Sequence, residues 1–160
     1  MATPTTPAQQ FVTAYGSNDP ALFDELYDPD VVFRGTLAWP LHGLDALKAF
    51  ANEFHSMNPG LQVVLHDEFY SADGTRGSMR FALHWHNTGP FYGKPPTGKS
   101  GVQLETHTLR LRDGRIVEQF QAGNNFSLAW IEIVDLEMPW PADTPDPAPE
   151  ILRVGAGERS

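Results

Sequence analysis

The chain has 160 residues, a length that suits one compact domain with a genuine hydrophobic core. It contains no cysteine, which excludes disulfide bonds, thiolate metal sites and a cysteine nucleophile. Twenty Asp and Glu residues against eleven Lys and Arg give a formal net charge of −9, which disfavours binding to nucleic acids and to anionic membrane surfaces. No segment approaches the roughly 18 apolar residues of a membrane-spanning helix, and the first ten residues lack the basic and apolar regions of a secretory signal. We therefore expect a cytoplasmic protein.

Three helices are predicted in the first part of the chain. Thr6-Pro7-Ala8-Gln9 has the form of a capping box with proline at the first helical position, and Gly16-Ser17-Asn18 ends this helix. Asp19-Pro20 repeats the start signal for a short second helix. From Leu44 onwards, apolar residues at spacings of three and four predict a third helix, which ends at Asn58-Pro59-Gly60.

Strand patterning precedes and follows the third helix. Asp28-Pro29-Asp30 is expected to break the chain before a short strand at Val31-Val32-Phe33. After the third helix the apolar period changes to two, which predicts long strands near residues 61–72, 76–87 and 101–112. Asp113-Gly114 is the strongest hairpin signal and leads into a further strand. Helices followed by a meander of antiparallel strands indicate an α+β fold.

The last part of the chain changes composition. Phe126–Glu137 is interpreted as a helix in preference to a strand through Ile131–Ile133. Pro139–Pro149 carries five prolines and is expected to be extended or disordered. The predicted organisation is one domain over residues 1–138 and a Pro-rich acidic tail over residues 139–160.

Three segments, taken together, resemble a known family. They are Tyr27–Phe33, Gly93–Lys99 and Asp113–Glu118, and their order and spacing are similar to those of the SnoaL-like polyketide cyclases in the NTF2-like superfamily. The resemblance runs from Phe11 to Phe126 and implies a cone-shaped α+β barrel, in which three N-terminal helices pack against a strongly bent antiparallel sheet. It also implies a homodimer formed through the sheet, a pocket for a small lipophilic oxygenated molecule, and no cofactor or metal.

The chain departs from the family pattern after Glu118. The resemblance implies His-Trp-Asp there, with the aspartate as the acid/base group of an aldol cyclisation, whereas this sequence has Gln119-Phe120-Gln121. An amide cannot exchange a proton near neutral pH. Gln121 is therefore expected to polarise a substrate carbonyl or hold an enolate, or else to fill the pocket of a member that has lost catalysis.

Alternation along residues 102–111 predicts the catalytic residues. It places five side chains on one face, with the leucines marking that face as buried: Gln103, Glu105, His107, Leu109 and Leu111. An acid and an imidazole two residues apart on a buried face are costly unless they are paired or used. We expect His107 to be a general base that Glu105 orients, and the alternative is a satisfied polar pair at a sheet or dimer interface.

Further residues are candidates for the pocket wall. His84 and His86 alternate around Trp85 and are interpreted as lining the pocket or the surface, since no third ligand at suitable spacing supports a metal site. Phe91 and Tyr92 precede the Pro95-Pro96 loop, which could cover the pocket. The remaining substrate-binding candidates are Trp39, Phe50, Phe54, Met57, Gln103 and Gln119, and the histidines expected at surface or capping positions are His42, His55 and His66.

The predicted function is a cofactor-independent cyclase or isomerase of a lipophilic polyketide-like biosynthetic intermediate. Aldol, oxa-Michael and epoxide-opening ring closures all fit acid/base catalysis in an enclosed pocket. The alternative is a non-catalytic small-molecule binder or dimeric interaction protein on the same scaffold, which the residue at 121 favours. A third possibility is hydrolysis or isomerisation of a steroid-like or terpene-like molecule.

Overall fold

The structure is a computed structural model that describes residues 5–35, 40–123 and 150–155. These residues form three helices and seven strands, in the order α1 (Pro7–Ser17), α2 (Pro20–Leu26), β1 (Tyr27–Arg34), β2 (Leu41–His42), α3 (Leu44–Met57), β3 (Gln62–Tyr70), β4 (Arg76–His86), β5 (Ser100–Arg112), β6 (Arg115–Gly123) and β7 (Leu152–Gly155). Among the helices in these ranges, none is long and apolar enough to span a membrane. The cytoplasmic location stays a prediction.

The helix signals of the sequence are confirmed. Thr6 caps α1 by accepting a hydrogen bond from the backbone N–H of Gln9 at 3.2 Å, and Asn18 ends that helix in the left-handed conformation. Asp19 caps α2 by accepting from the N–H of Ala21 at 2.9 Å. These caps fix both ends of α1 and the start of α2, so the two helices pack side by side.

The strands form one open sheet against which the helices pack. Its strand order is β2-β1-β6-β5-β4-β3-β7. All neighbouring pairs are antiparallel except β1 and β6, which are parallel, so the sheet is mixed rather than purely antiparallel. A parallel pair needs a long connection, and α3 together with strands β3 to β5 supplies it. The predicted α+β pattern of helices packed against a meander of strands is confirmed.

Strand β1 begins earlier than predicted. The Asp28-Pro29-Asp30 segment does not break the chain, because the backbone stays extended from Tyr27 to Arg34. Proline lacks an N–H donor, and the register with β6 shifts between Tyr27 and Val32. Tyr27, the first residue of β1, is fully buried.

Strand β7 was not predicted by the sequence, which assigned residues 152–155 to the tail. It pairs with the edge strand β3, with Val154 opposite Val63. Helix α1 packs against β7 through Gly16, where an added Cβ would lie 2.8 Å from the carbonyl oxygen of Val154. The predicted helix at 126–137, the domain boundary at 138 and the segment 139–149 lie outside the described residues.

The β5–β6 hairpin confirms the turn signal and contains a bulge that the sequence did not reveal. Asp113 and Gly114 both have positive φ angles, 52° and 78°, as a two-residue type I′ turn requires. Beyond the turn Val117 is an extra residue in the ladder, so that Ile116 points into the core instead. Val117, Gln119 and Gln121 alternate along β6, and of these three only the two glutamines are buried.

Candidate functional site

A cavity lies between the three helices and the inner face of the sheet. Its described lining consists of seven aromatic residues, two leucines and four polar residues: Phe11, Tyr15, Phe23, Phe33, Phe50, Phe54, Phe81, Leu47, Leu83, Gln103, Glu105, His107 and Gln121. The cavity volume is about 30 Å³. This is room for one or two water molecules, so a larger ligand requires the surrounding rings to move apart.

The polar side chains form one wall of this cavity, which we call the polar wall (Gln103, Glu105, His107 and Gln121). The first three occupy alternate positions of β5 and are 1%, 5% and 2% exposed, which confirms the predicted inward face. Gln121 on β6 lies directly opposite His107 in the ladder. The sheet therefore brings the three predicted catalytic residues together.

A chain of hydrogen bonds connects the polar wall to the core behind it. The hydroxyl of Tyr27 donates to Oε1 of Gln119 at 2.6 Å, and Nε2 of Gln119 lies 2.5 Å from Nδ1 of His107. Nε2 of His107 lies 2.7 Å from Oε2 of Glu105. The other oxygen of Glu105 accepts a hydrogen bond from the amide of Gln103. Both ring nitrogens of His107 and both oxygens of Glu105 are thus held by protein groups.

The surroundings of this chain are apolar. The His107 ring is 2% exposed and lies between the rings of Phe11, Phe33 and Phe81, with centroid distances of 5.8, 5.9 and 4.8 Å. Burial raises the pKa of the Tyr27 hydroxyl well above its usual range. Tyr27 therefore stays a protonated hydrogen-bond donor at any physiological pH.

The predicted substrate-binding residues differ in where the structure places them. Phe50, Phe54 and Gln103 line the cavity. Gln119 is fully buried behind the polar wall and contacts His107, and Met57 is a core residue that is not part of the cavity lining.

The remaining candidates lie elsewhere. His84 and His86 are on the face of β4 opposite Leu83 and Trp85, so they point away from the cavity. Tyr92 is 73% exposed, with its ring against that of Phe91, and neither is part of the cavity lining. Trp39 lies outside the described residues.

Two of the histidines expected at surface or capping positions are more buried than predicted. His66 is 2% exposed because it is the extra residue in a register shift between β3 and β4. His55 is half-buried, and His42 is exposed as predicted. Within the described ranges, no three His, Asp or Glu side chains converge as a metal-binding group.

Tyr27 is the site residue that sequence reasoning missed. The sequence analysis includes it only in the segment Tyr27–Phe33, which resembles the family, and predicts no role for its hydroxyl. Its partner Gln119 is 92 residues away, and the two meet because β1 and β6 are neighbours in the sheet. A buried tyrosine needs a partner for its hydroxyl, which is the one signal that could have indicated the contact.

Comparison with known proteins assigns the fold and the family. The sequence profile of the SnoaL-like domain matches residues 8–119, which is most of the chain. No curated protein sequence matches the chain.

Solved structures of several proteins share its architecture. A protein from Jannaschia sp. CCS1, described as a SnoaL-like polyketide cyclase, has a TM-score of 0.65 at 18% identity and covers 80% of this chain and 93% of its own. AclR from Streptomyces galilaeus, described as a hydroxylase, has a TM-score of 0.64 at 22% identity over 76% of this chain and 75% of its own. An NTF2-like protein from Exiguobacterium sp. 255-15 has a TM-score of 0.60 at 21% identity over 75% of this chain and 99% of its own. These similarities confirm the predicted NTF2-like fold.

Proposed function

The chain belongs to the SnoaL-like domain family, and from that premise we propose that it is a cofactor-independent cyclase or isomerase of a lipophilic, oxygenated, polyketide-like intermediate. The observation that carries the proposal is the buried pair of Glu105 and His107, 2.7 Å apart, at the polar wall of an aromatic cavity. A carboxylate and an imidazole enclosed by apolar rings are suited to transferring a proton to or from a substrate in a site shielded from bulk water.

Within this pair we assign the proton-accepting role to Glu105. Both nitrogens of His107 are already hydrogen-bonded to protein, so neither is open to a substrate without rearrangement. A carboxylate has about four lone-pair positions, and the described contacts of Glu105 use two of them. This assignment reverses the roles expected from the sequence, where His107 was the base and Glu105 its orienting partner.

The proposed reaction needs no external oxidant or reductant. Glu105 takes a proton from the carbon next to a substrate carbonyl, and the electron pair of the broken C–H bond moves to the carbonyl oxygen as an enolate. In a cyclisation, the enolate carbon bonds to a second carbonyl carbon of the same molecule, and the resulting alkoxide takes the proton back from Glu105. In an isomerisation, the proton returns to a different carbon. Either route restores the carboxylate.

The other polar-wall residues support this step. Gln103 holds one carboxylate oxygen of Glu105, which fixes the direction of the remaining lone pairs. Gln121 faces the cavity opposite His107, where its amide N–H can donate to a developing enolate oxygen. The rings of the cavity favour a flat, apolar ligand and hold it close to the carboxylate.

The test uses 2-tetralone, a neutral bicyclic aromatic ketone with acidic hydrogens beside its carbonyl. In D2O the protein should accelerate exchange of these hydrogens for deuterium, as followed by NMR. Glu105→Gln keeps the size of the side chain and removes the base, so we expect it to lower the rate by about 100-fold or more. A second assay follows ring closure of an aryl-substituted 1,5-diketone by chromatography and mass spectrometry.

The same experiment distinguishes the proposal from its alternative. Exchange no faster than with the Glu105→Gln protein would contradict the enzyme proposal. Saturable binding of 2-tetralone in that case, measured by its NMR line broadening, would identify the chain as a non-catalytic binder, the function favoured by Gln121.

We also propose that the protein is a homodimer formed through the outer face of the sheet. Phe69 on β3 and Phe120 on β6 are 66% and 49% exposed, and the register places Ser78 and Thr108 between them in one cross-strand row. The two large rings project from the sheet, and the small residues between them leave a hollow. The same face of a second copy, related by two-fold symmetry, can fit against this relief.

A further inference from the structure

We propose that Gln119 and Tyr27 are positioning residues that hold His107 as a neutral imidazole with its proton on Nε2. Neither residue is part of the described cavity lining, and both are fully buried. They act through the hydrogen-bond chain that reaches Glu105. The catalytic meaning of this arrangement rests on the proposed function, whereas the protonation state of the ring does not.

The argument begins at Tyr27. Its hydroxyl is buried and protonated, and it donates to Oε1 of Gln119 at 2.6 Å. Among the described residues no other acceptor is recorded for this hydroxyl. Rotating the Gln119 amide by 180° would place its N–H groups against the tyrosine and leave a buried O–H without an acceptor, which is unfavourable. Tyr27 therefore orients the amide.

An amide oriented in this way determines the state of the imidazole. With the oxygen of Gln119 directed at Tyr27, its NH2 group is directed at Nδ1 of His107, 2.5 Å away. An N–H donor at Nδ1 requires a lone pair on that nitrogen, so the ring proton resides on Nε2. From Nε2 it is donated to the carboxylate of Glu105.

Among the described residues, no other polar group is recorded as a hydrogen-bond partner of the His107 ring nitrogens. The side chains that pack against His107 from α1, β1 and β4 are Phe11, Phe33 and Phe81, which carry no charge. Gln119 and Glu105 are the polar groups that contact its two nitrogens. A second proton on His107 would need an acceptor at Nδ1, and Gln119 presents a donor there.

For the reaction, this means that His107 donates a hydrogen bond while Glu105 accepts the substrate proton. A neutral His107 donates to Glu105 without giving it a proton, so the carboxylate keeps its negative charge and its capacity to take a proton from a substrate. If the ring were an imidazolium, the carboxylate would be paired with a full positive charge and would be a weaker base. Gln119 thus preserves the basicity of Glu105 from outside the cavity.

The experiment is NMR of the full chain with ¹⁵N-labelled histidine, recorded at pH 7 without ligand. The His107 signals are assigned by their loss in His107→Gln. We expect the parent to show a protonated Nε2 and an unprotonated Nδ1. In Gln119→Glu a carboxylate replaces the donor at Nδ1, so we expect both nitrogens to be protonated. Tyr27→Phe removes one hydroxyl and frees the amide to rotate, so the Nε2–H form should lose population.

The outcomes separate this inference from the proposed function. A parent ring protonated on Nδ1, or on both nitrogens, would overturn the inference, and so would a Gln119→Glu spectrum identical to that of the parent. The expected ring state together with no exchange of 2-tetralone would support the inference and contradict the proposed function. Exchange of 2-tetralone together with a ring state other than the expected one would support the proposed function and contradict the inference. Tyr27→Phe is the more conservative variant and tests the same chain if Gln119→Glu does not fold.

Discussion

Nε2 of His55 in α3 lies 2.5 Å from the backbone carbonyl oxygen of Tyr15 in α1, and its ring meets the Tyr15 ring edge-on at 5.7 Å. This contact joins the last turn of one helix to the other helix. Burial lowers the pKa of His55, because a charged imidazole would lose hydration there, and the bond to the carbonyl opposes this effect only in part. His55 is therefore neutral in the folded protein near pH 7.

This contact predicts a pH dependence of stability. The unfolded chain binds a proton at His55 near pH 6.5, the ordinary value, whereas the folded protein binds it only at lower pH. Between those two values the unfolded state holds more protons, so the free energy of unfolding rises with pH. We expect the stability that His55 contributes to be complete above about pH 7 and to decrease as the pH falls through 6.5. Urea unfolding at a series of pH values from 5 to 8 measures it.

His55→Gln isolates the contribution of this residue. Glutamine can still donate to the Tyr15 carbonyl and does not titrate, so the slope of stability against pH should be smaller in the variant than in the parent. His42→Gln is the matched control, because His42 is exposed. An equal slope in His55→Gln and the parent would contradict the prediction.

The proposed roles of Glu105 and His107 predict an order of catalytic effects. Glu105→Gln removes the base and should lower the deuterium-exchange rate by about 100-fold or more. His107→Gln retains an N–H that can donate to Glu105, so its loss should be smaller, about tenfold. The two rates at saturating 2-tetralone provide the comparison, with circular dichroism to check folding. The reverse order would restore His107 as the base.

The contact between α1 and β7 predicts a cost for adding one methyl group. In Gly16→Ala the new Cβ would lie 2.8 to 3.0 Å from the backbone and Cβ of Val154, so the helix or the strand has to shift. We expect the free energy of unfolding to fall by about 1–3 kcal/mol, the usual cost of overpacking. Gly60→Ala is the control, because nothing lies within 4 Å of its added Cβ. Equal stability of the two variants in urea would mean that β7 does not pack on α1.

The proposed dimer predicts the effect of a charge on the outer face. Phe120→Glu places a carboxylate beside Glu118 on the exposed side of β6, where two copies would meet. We expect the parent to sediment at about twice its 17.7 kDa chain mass and the variant at the chain mass. Tyr92→Ser, an exposed aromatic change away from this face, should leave the dimer intact. A parent that sediments as a monomer at tens of micromolar would contradict the proposal.

Local sequence signals were sufficient for most of the secondary structure. The caps at Thr6 and Asp19 and the turn at Asp113-Gly114 each depend on residues within a few positions of one another. Strand β7 was missed because residues 152–155 acquire their structure only by pairing with β3, far away in the chain. The start of β1 was missed for a related reason, since the backbone stays extended across a proline that looks like a break and pairs with β6 on both sides of it.

The sequence by itself determined that Gln103, Glu105 and His107 share one buried face, because side chains alternate along any strand with a period of two. Only the tertiary structure decided what contacts them. A bulge at Val117 sets which residues of β6 face inward, and the parallel pairing of β1 with β6 places Tyr27 beside Gln119, 92 residues away. Alternation is a local property of the backbone. Register and strand neighbours depend on the packing of the whole sheet, and the proposed proton position of His107 and the proposed role of Glu105 as the base both rest on them.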